Sequence, residues 1–310
     1  MKISVDQRMD IPSLDFGSIG EELIFLHANG YPPGCYRPLL LRLAEDYHVT
    51  AMVQRPLWPD SKPEDLDDWC PLTSDLLKFL DGHQTNHFDF EARHNGPPPP
   101  TRLSVQHRPL VCVGHSMGGI ALLRAALREP ERFKAIVLLE PVLFPPYFIA
   151  FWNVMRRSKI SQRFHPLIAG ARQRRRQFDD LERLYNGYRR KSVFRYIDDD
   201  PLRIFVESIA CPKDGGGYQL CYSADWEIRI YLTGIWHDMD IWRGLPTLKV
   251  PTLIIRGAET DTFLERTGRL VQRKQPQVKV EALEKSTHLV PLERPQEVSN
   301  LIQSFFEENV

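Results

Sequence analysis

The chain lacks any excess of charge of one sign: 40 basic residues stand against 40 acidic ones in 310, for a formal net charge of zero. Bulk attraction to nucleic acid or to an anionic membrane surface is therefore not what organises it. It also lacks an apolar run near the length of a membrane span, which argues against stable membrane insertion. Met1 to Asp10 is polar and charged, without the apolar stretch of a secretory signal. Cysteine is scarce. Cys35, Cys70, Cys112, Cys211 and Cys221 are odd in number, scattered, and without metal-ligand spacing. That usage reads as free thiols in a reducing compartment, and so as a soluble cytoplasmic protein. Apolar material, by contrast, is plentiful: 42% hydrophobic residues suffice for one large α/β domain or two ordinary ones.

The stretch Pro109 to Leu123 organises the rest. Leu110, Val111, Cys112 and Val113 form a short apolar run, as a strand covered on both faces requires. Gly114-His115-Ser116-Met117-Gly118 then fits the G-x-S-x-G nucleophile elbow, and Ile120 to Arg128 continues as an apolar helix stopped by Pro130. A serine hydroxyl is a weak nucleophile unless it is exposed, aimed and placed beside a base. A sharp turn at Ser116 supplies the exposure, provided that Gly114 and Gly118 bring no Cβ into it. The helix N-terminus adds free N–H groups and partial positive charge where an oxyanion would sit.

Before the elbow, Leu23 to Leu26 reads as a strand that runs into the loop His27-Ala28-Asn29-Gly30. Pro38 to Tyr47 has helical spacing, His48 to Gln54 reads as a second strand, and Trp69 to Leu80 as a helix with Leu72, Leu76, Leu77 and Leu80 on one face. From Gly82 to Arg108 the pattern collapses among His83, His87, His94, His107 and the prolines Pro97 to Pro100. These spacings match no compact metal site, and residues 82–108 are expected to be a flexible insertion within the core.

After the elbow helix, Lys134 to Glu140 is another buried strand, and strand, helix and strand in this rhythm indicate a parallel sheet. The rhythm resumes only at Val250 to Gly257. The intervening segment, on the order of a hundred residues, has the size of a small domain or lid. It is rich in helix-like patches and in large aromatics, from Phe148 to Trp242, most of which form the segment's own core. The basic cluster Arg172, Arg174, Arg175 and Arg176 is followed at once by Asp179, Asp180 and Glu182, and reads as a solvated helix face, with a nuclear signal or a phosphate site as the alternative. Gln277 to Leu283 is the last strand and Pro295 to Glu307 the closing helix.

A nucleophilic serine needs a base, and the base an orienting carboxylate. His288 follows the last strand, at the sheet edge where the Ser116 turn is expected. Two carboxylates compete for the third position. Asp261, after the strand Leu253 to Arg256, gives the order Ser, Asp, His and is favoured on chain order alone. Glu140 ends the strand after the elbow helix and opens onto the same edge; Glu259 is a lesser candidate. The oxyanion donors are expected to be the N–H groups of Met117 and Asn29, with His27 and Gly30 shaping the loop.

Together these residues resemble the α/β-hydrolase superfamily, and within it the lidded, lipase- and esterase-like members. The resemblance rests on Leu26-His-Ala-Asn-Gly30, Gly114-His-Ser-Met-Gly-Gly119, Leu253-Ile-Ile-Arg-Gly257 with Asp261, and His288 with Pro291 and Pro295. It implies a mostly parallel central sheet flanked by helices, with residues 1–140 and 247–310 as the core and residues 141–246 as a largely helical lid after the strand ending at Glu140. It further implies acyl transfer from a small apolar ester through an acyl-enzyme on Ser116, with no metal or organic cofactor. His27-Ala28 stands where relatives usually carry His-Gly. Some relatives place the acid after the strand that follows the nucleophile helix, which keeps Glu140 in contention. Cleavage of a C–C bond, acyl transfer to an acceptor other than water, and non-catalytic ligand binding are the alternatives on the same scaffold.

Overall fold

A computed structural model of the chain describes residues 3–4, 11–17, 19–95, 108–157 and 166–310. Its centre is an eight-stranded sheet of β1 (Ile3–Ser4), β2 (Ser13–Asp15), β3 (Glu21–Leu26), β4 (Tyr47–Met52), β5 (Leu110–His115), β6 (Phe133–Leu139), β10 (Thr252–Gly257) and β11 (Lys279–Leu283), in the order β1-β2-β4-β3-β5-β6-β10-β11. Every pairing from β4 to β11 is parallel, and only β1 and β2 at one edge run antiparallel. All six residues of β5 are buried, because helices cover both faces of a parallel sheet. Alternate residues therefore feed two separate cores. Leu110 and Cys112 join Ile120, Leu76 and Phe79 on one side, whereas Val111 and Val113 join Leu39, Leu43, Ile302 and Phe306 on the other.

The first core is closed by α2 (Cys70–Asn95) and α3 (Met117–Arg128), the second by α1 (Arg37–Leu43) and, after the last strand, α12 (Pro295–Asn309). The helix expected to end at Leu80 continues to Asn95, so the proposed insertion is helical over its first half. No proline interrupts Gly82 to Asn95, and the breakers come only with Gly96 and Pro97. The remainder of that tract, 96–107, lies outside the described residues.

Between β6 and β10 the chain forms α4 (Pro146–Arg157), α5 (Pro166–Gln173), β7 (Gln177–Phe178), α6 (Leu181–Arg189), α7 (Asp199–Ile209), β8 (Ala210–Pro212), β9 (Tyr218–Leu220), α8 (Ala224–Thr233) and α9 (Asp238–Gly244). The segment is mainly helical but also holds a three-stranded antiparallel sheet, β7-β9-β8, which the reading of helix-like patches did not foresee. Its buried aromatics extend the two cores of the sheet instead of forming a separate one: Tyr222, Trp226 and Trp242 join the first, and Tyr188, Phe194 and Phe205, packed edge-on and tilted against one another, join the second. A disulfide joins Cys211 to Cys221 across the β8–β9 hairpin. Antiparallel pairing of the two strands brings the cysteines' Cα atoms to 5.2 Å, within bonding reach, so the expectation that all five cysteines are free does not hold. Among the described residues no helix is long and apolar enough to cross a membrane. The last helices are α10 (Glu265–Lys274) and the short α11 (Val290–Glu293).

Candidate active site

The register of the sheet sets the site. His115 at the end of β5 pairs with Leu139 at the end of β6, so Ser116 and Glu140 are each the first residue beyond two aligned, adjacent strand ends. Both have positive φ, 57° at Ser116 and 46° at Glu140. Such a backbone costs an L-residue on the order of 1–3 kcal/mol and persists only where the surroundings enforce it. Here β-type bonds hold each one: Ser116 N–H donates to Leu139 O at 2.9 Å, and Glu140 N–H to Ile255 O at 2.9 Å. The elbow also requires its glycines. A Cβ on Gly114 would lie 2.7 Å from Gly118 O, and one on Gly118 would lie 2.7 Å from Leu26 O.

His288 reaches the same edge from the loop after β11. Its Nε2 lies 3.0 Å from Ser116 Oγ, and its Nδ1 lies 3.2 Å from Glu140 Oε2. An ionised carboxylate only accepts, so Glu140 holds the proton on Nδ1 and leaves Nε2 to accept from the serine hydroxyl. Glu140 is fully buried, and a buried carboxylate must have its lone pairs filled. Gly257 N–H donates to Oε1 at 2.7 Å, and Thr260 Oγ1–H to Oε2 at 2.6 Å, with Phe263 N–H farther off at 3.4 Å.

Asp261, favoured on chain order, does not join this group. Beyond β10 the chain turns so that Thr260 points inward to Glu140, while Asp261 is exposed and, among the described residues, accepts only from Thr262 Oγ1 at 3.1 Å. Glu259 is exposed as well, and the Tyr196 hydroxyl at 2.7 Å, followed by Arg195 at 2.8 Å, keeps its carboxyl below the usual range. Chain order could not separate these residues because it carries no side-chain direction: Thr260 is buried, and Glu259 and Asp261 on either side of it are exposed. The carboxylate that meets His288 is Glu140.

The loop carrying His288 is fixed from two sides. Thr287 donates through its N–H and its hydroxyl to the buried Glu293 carboxylate, at 2.6 and 2.8 Å. On the other side His115 Nε2–H donates to His288 O at 2.9 Å, and the Tyr36 hydroxyl donates to His115 Nδ1 at 2.7 Å. Tyr36 in turn accepts from Ala28 N–H at 3.1 Å, so one chain of bonds ties the histidine loop to the loop after β3. Burial, reinforced by the neighbouring His288, holds His115 well below the usual histidine range, which matches its one-donor, one-acceptor duty. Tyr36, Thr260 and Glu293 were not singled out by sequence. Thr260 alone carried a signal, as the residue between two suspected carboxylates.

The loop after β3 lies against the start of α3, as the close approach of Gly118 to Leu26 and His27 requires. His27 is fully buried and is pushed down to about 4 by that burial. It accepts Gln54 N–H on Nε2 at 3.0 Å and donates from Nδ1 to Ala28 O at 2.9 Å, so it shapes the loop. Gly30 takes φ +78°. The Asn29 side chain is anchored to the inserted segment, accepting from the Tyr222 hydroxyl at 2.8 Å and donating to Glu227 O at 3.3 Å. Asn29 N–H makes no hydrogen bond among the described residues, and Met117 N–H, at the first helical position, has no partner within its helix. Among the described residues no group of histidine, cysteine and acidic side chains could hold a metal ion.

A doubly covered parallel sheet with a strained serine, a histidine and a carboxylate at the carboxyl edge defines the hydrolase class of α/β fold. The sequence profile described as the Alpha/beta hydrolase family matches residues 23–301, and the chain belongs to that family. Solved structures agree on the fold. An E-2-(acetamidomethylene)succinate hydrolase superposes with a TM-score of 0.71 at 20% identity, covering 96% of this chain and 95% of that one. An esterase from Mycobacterium tuberculosis gives a TM-score of 0.68 at 16% identity, with 99% and 91% covered. A peroxisomal alpha-beta-hydrolase from Saccharomyces cerevisiae gives 0.67 at 18% identity, with 96% and 82% covered. No curated protein sequence matches the chain.

Proposed function

We propose that the protein is a serine hydrolase that cleaves a carboxylic ester or related acyl compound through an acyl-enzyme on Ser116. One observation carries the reading: His288 stands 3.0 Å from Ser116 Oγ and 3.2 Å from the buried Glu140 carboxylate. Ser116 Oγ attacks the substrate carbonyl carbon while its proton passes to His288 Nε2. Glu140 remains ionised and steadies the imidazolium through Nδ1–H. The N–H groups of Met117 and Asn29 receive the oxyanion; each such donor is worth about 2.7–4 kcal/mol of transition-state stabilisation. His288 then gives its Nε2 proton to the leaving group. Water repeats the sequence, giving a proton to His288 as it attacks the acyl carbon, and the acid and free Ser116 result. In this reading the segment between β6 and β10 acts as a lid, which the Asn29 contacts to Tyr222 and Glu227 support.

A fluorophosphonate probe should label Ser116 in the folded protein, and Ser116→Ala should abolish turnover of short p-nitrophenyl esters. Full turnover by folded Ser116→Ala would overturn the reading. Preferential cleavage of a β-diketone over such esters would shift the chemistry to C–C hydrolysis on the same residues.

A further inference from the structure

Of the arginine cluster read from sequence as a solvated helix face, Arg172, Arg175 and Arg176 are exposed, whereas Arg174 is half-buried. Helix α5 ends at Gln173, and Arg174 turns inward, where its Nη1 meets Glu227 Oε2 at 2.7 Å. Here it helps to line a cavity of about 950 Å³ between α5 and α6, together with Arg175, Arg183, Arg190 and Lys191. Five cations face this cavity, and no carboxylate is among its lining residues. Glu227 answers Arg174, and Asp179 answers Arg183 at 2.5 Å. Arg175, Arg190 and Lys191 form no salt bridge among the described residues, although Lys191 feels the pull of the nearby Glu227 carboxylate. Lys191 instead lies with its ammonium 4.0 Å over the Tyr188 ring. Burial first, and then the repulsion of Arg174, hold that ammonium below its ordinary range against the opposing pull of Glu227.

The cavity is also coupled to the catalytic edge. Glu227, which binds Arg174 through its carboxylate, accepts the Asn29 side-chain N–H at 3.3 Å through its backbone oxygen. A Cβ on Gly30 would lie 3.9 Å from Glu227 Cδ. One residue thus spans from the basic wall to the loop beside Ser116. Unneutralised guanidinium and ammonium groups converging in a concave site select anions, and guanidinium groups in particular match carboxylate and phosphate oxygens.

We propose that this cavity receives an anionic group, a carboxylate or phosphate, that the substrate carries at a distance from its scissile acyl bond. The proposal rests on the serine-hydrolase reading and narrows its substrate class from the small apolar ester expected from sequence to an acyl compound with a remote negative charge.

The test is a selectivity ratio: kcat/KM for an anionic ester divided by that for a neutral ester of similar length. A p-nitrophenyl hemiester of glutarate, against p-nitrophenyl valerate, places a carboxylate on the acyl side. An acyl phosphopantetheine thioester, against its dephosphorylated form, places a phosphate on the leaving group. The wild type should prefer the anionic member of at least one pair by tenfold or more, and the pair that does so identifies the source of the charge. R190Q combined with K191Q should lower that ratio at least fivefold, and high salt should lower it in the wild type. Equal rates within both pairs, or a preference that the double variant leaves intact, would overturn the proposal. Fluorophosphonate labelling of Ser116, run on the same preparations, reports on the hydrolase reading independently of the anion site.

Discussion

Replacing Glu140 by Gln tests the arrangement of the site most directly, because the substitution keeps shape and removes one acceptor. The two carboxylate oxygens of Glu140 face donors only: Gly257 N–H at Oε1, and Thr260 Oγ1–H and His288 Nδ1–H at Oε2. A Gln amide must present its NH₂ on one side. Against Gly257 it would set donor against donor in a buried site, at about 1–3 kcal/mol for the unsatisfied group. Against His288 it would force the proton from Nδ1 to Nε2, and an Nε2–H cannot accept from Ser116. Loss of the orienting carboxylate in a serine triad typically lowers kcat by about 10⁴, close to 5.5 kcal/mol in the barrier. Turnover of a p-nitrophenyl ester by Glu140→Gln should therefore fall by about 10³–10⁴, with the fold retained by circular dichroism. Asp261→Asn, at an exposed carboxylate whose one hydrogen bond among the described residues is from Thr262, should stay within about twofold of wild type. The reverse ranking, with Asp261→Asn the more damaged, would refute the assignment of Glu140.

Other consequences follow from the same geometry. His27 is held neutral down to about 4, whereas the unfolded chain takes up that proton near 6.5. Its contribution is thus complete above about pH 6.5 and is lost as pH falls toward 4, about 3 kcal/mol in all, and chemical denaturation at stepped pH would read the slope. Gly257→Ala would drive a methyl to 2.5 Å from Thr287 O, so thermal unfolding should show a marked loss of stability and ester turnover should fall as the His288 loop shifts. Thiol titration of the unfolded, unreduced protein should find three cysteines, Cys35, Cys70 and Cys112, and five after reduction. Cys211→Ser with Cys221→Ser should lower the stability of the inserted segment by up to about 3 kcal/mol on loop-closure grounds.

Much of this protein is fixed by short-range rules that the residues obey alone. The apolar runs at Leu23 to Leu26, Leu110 to Val113, Lys134 to Leu139 and Leu253 to Ile255 had to be buried strands. The glycines at 114 and 118 had to flank a sharp turn because no Cβ fits there, so the elbow and the ends of the neighbouring strands were legible without coordinates. His288 was legible for the same reason: a loop after a parallel strand emerges at the carboxyl edge. Tertiary structure decided what depends on direction in space. Glu140 and Asp261 both follow strands at that edge, and only the turn after β10 puts Thr260 inward, Asp261 outward and Glu140 against the imidazole. The same holds for Cys211 and Cys221, joined by hairpin register, and for Arg174, which breaks from its helix to face Glu227. Spacing along the chain sets which residues come to an edge; the packing of other elements sets which of them touch.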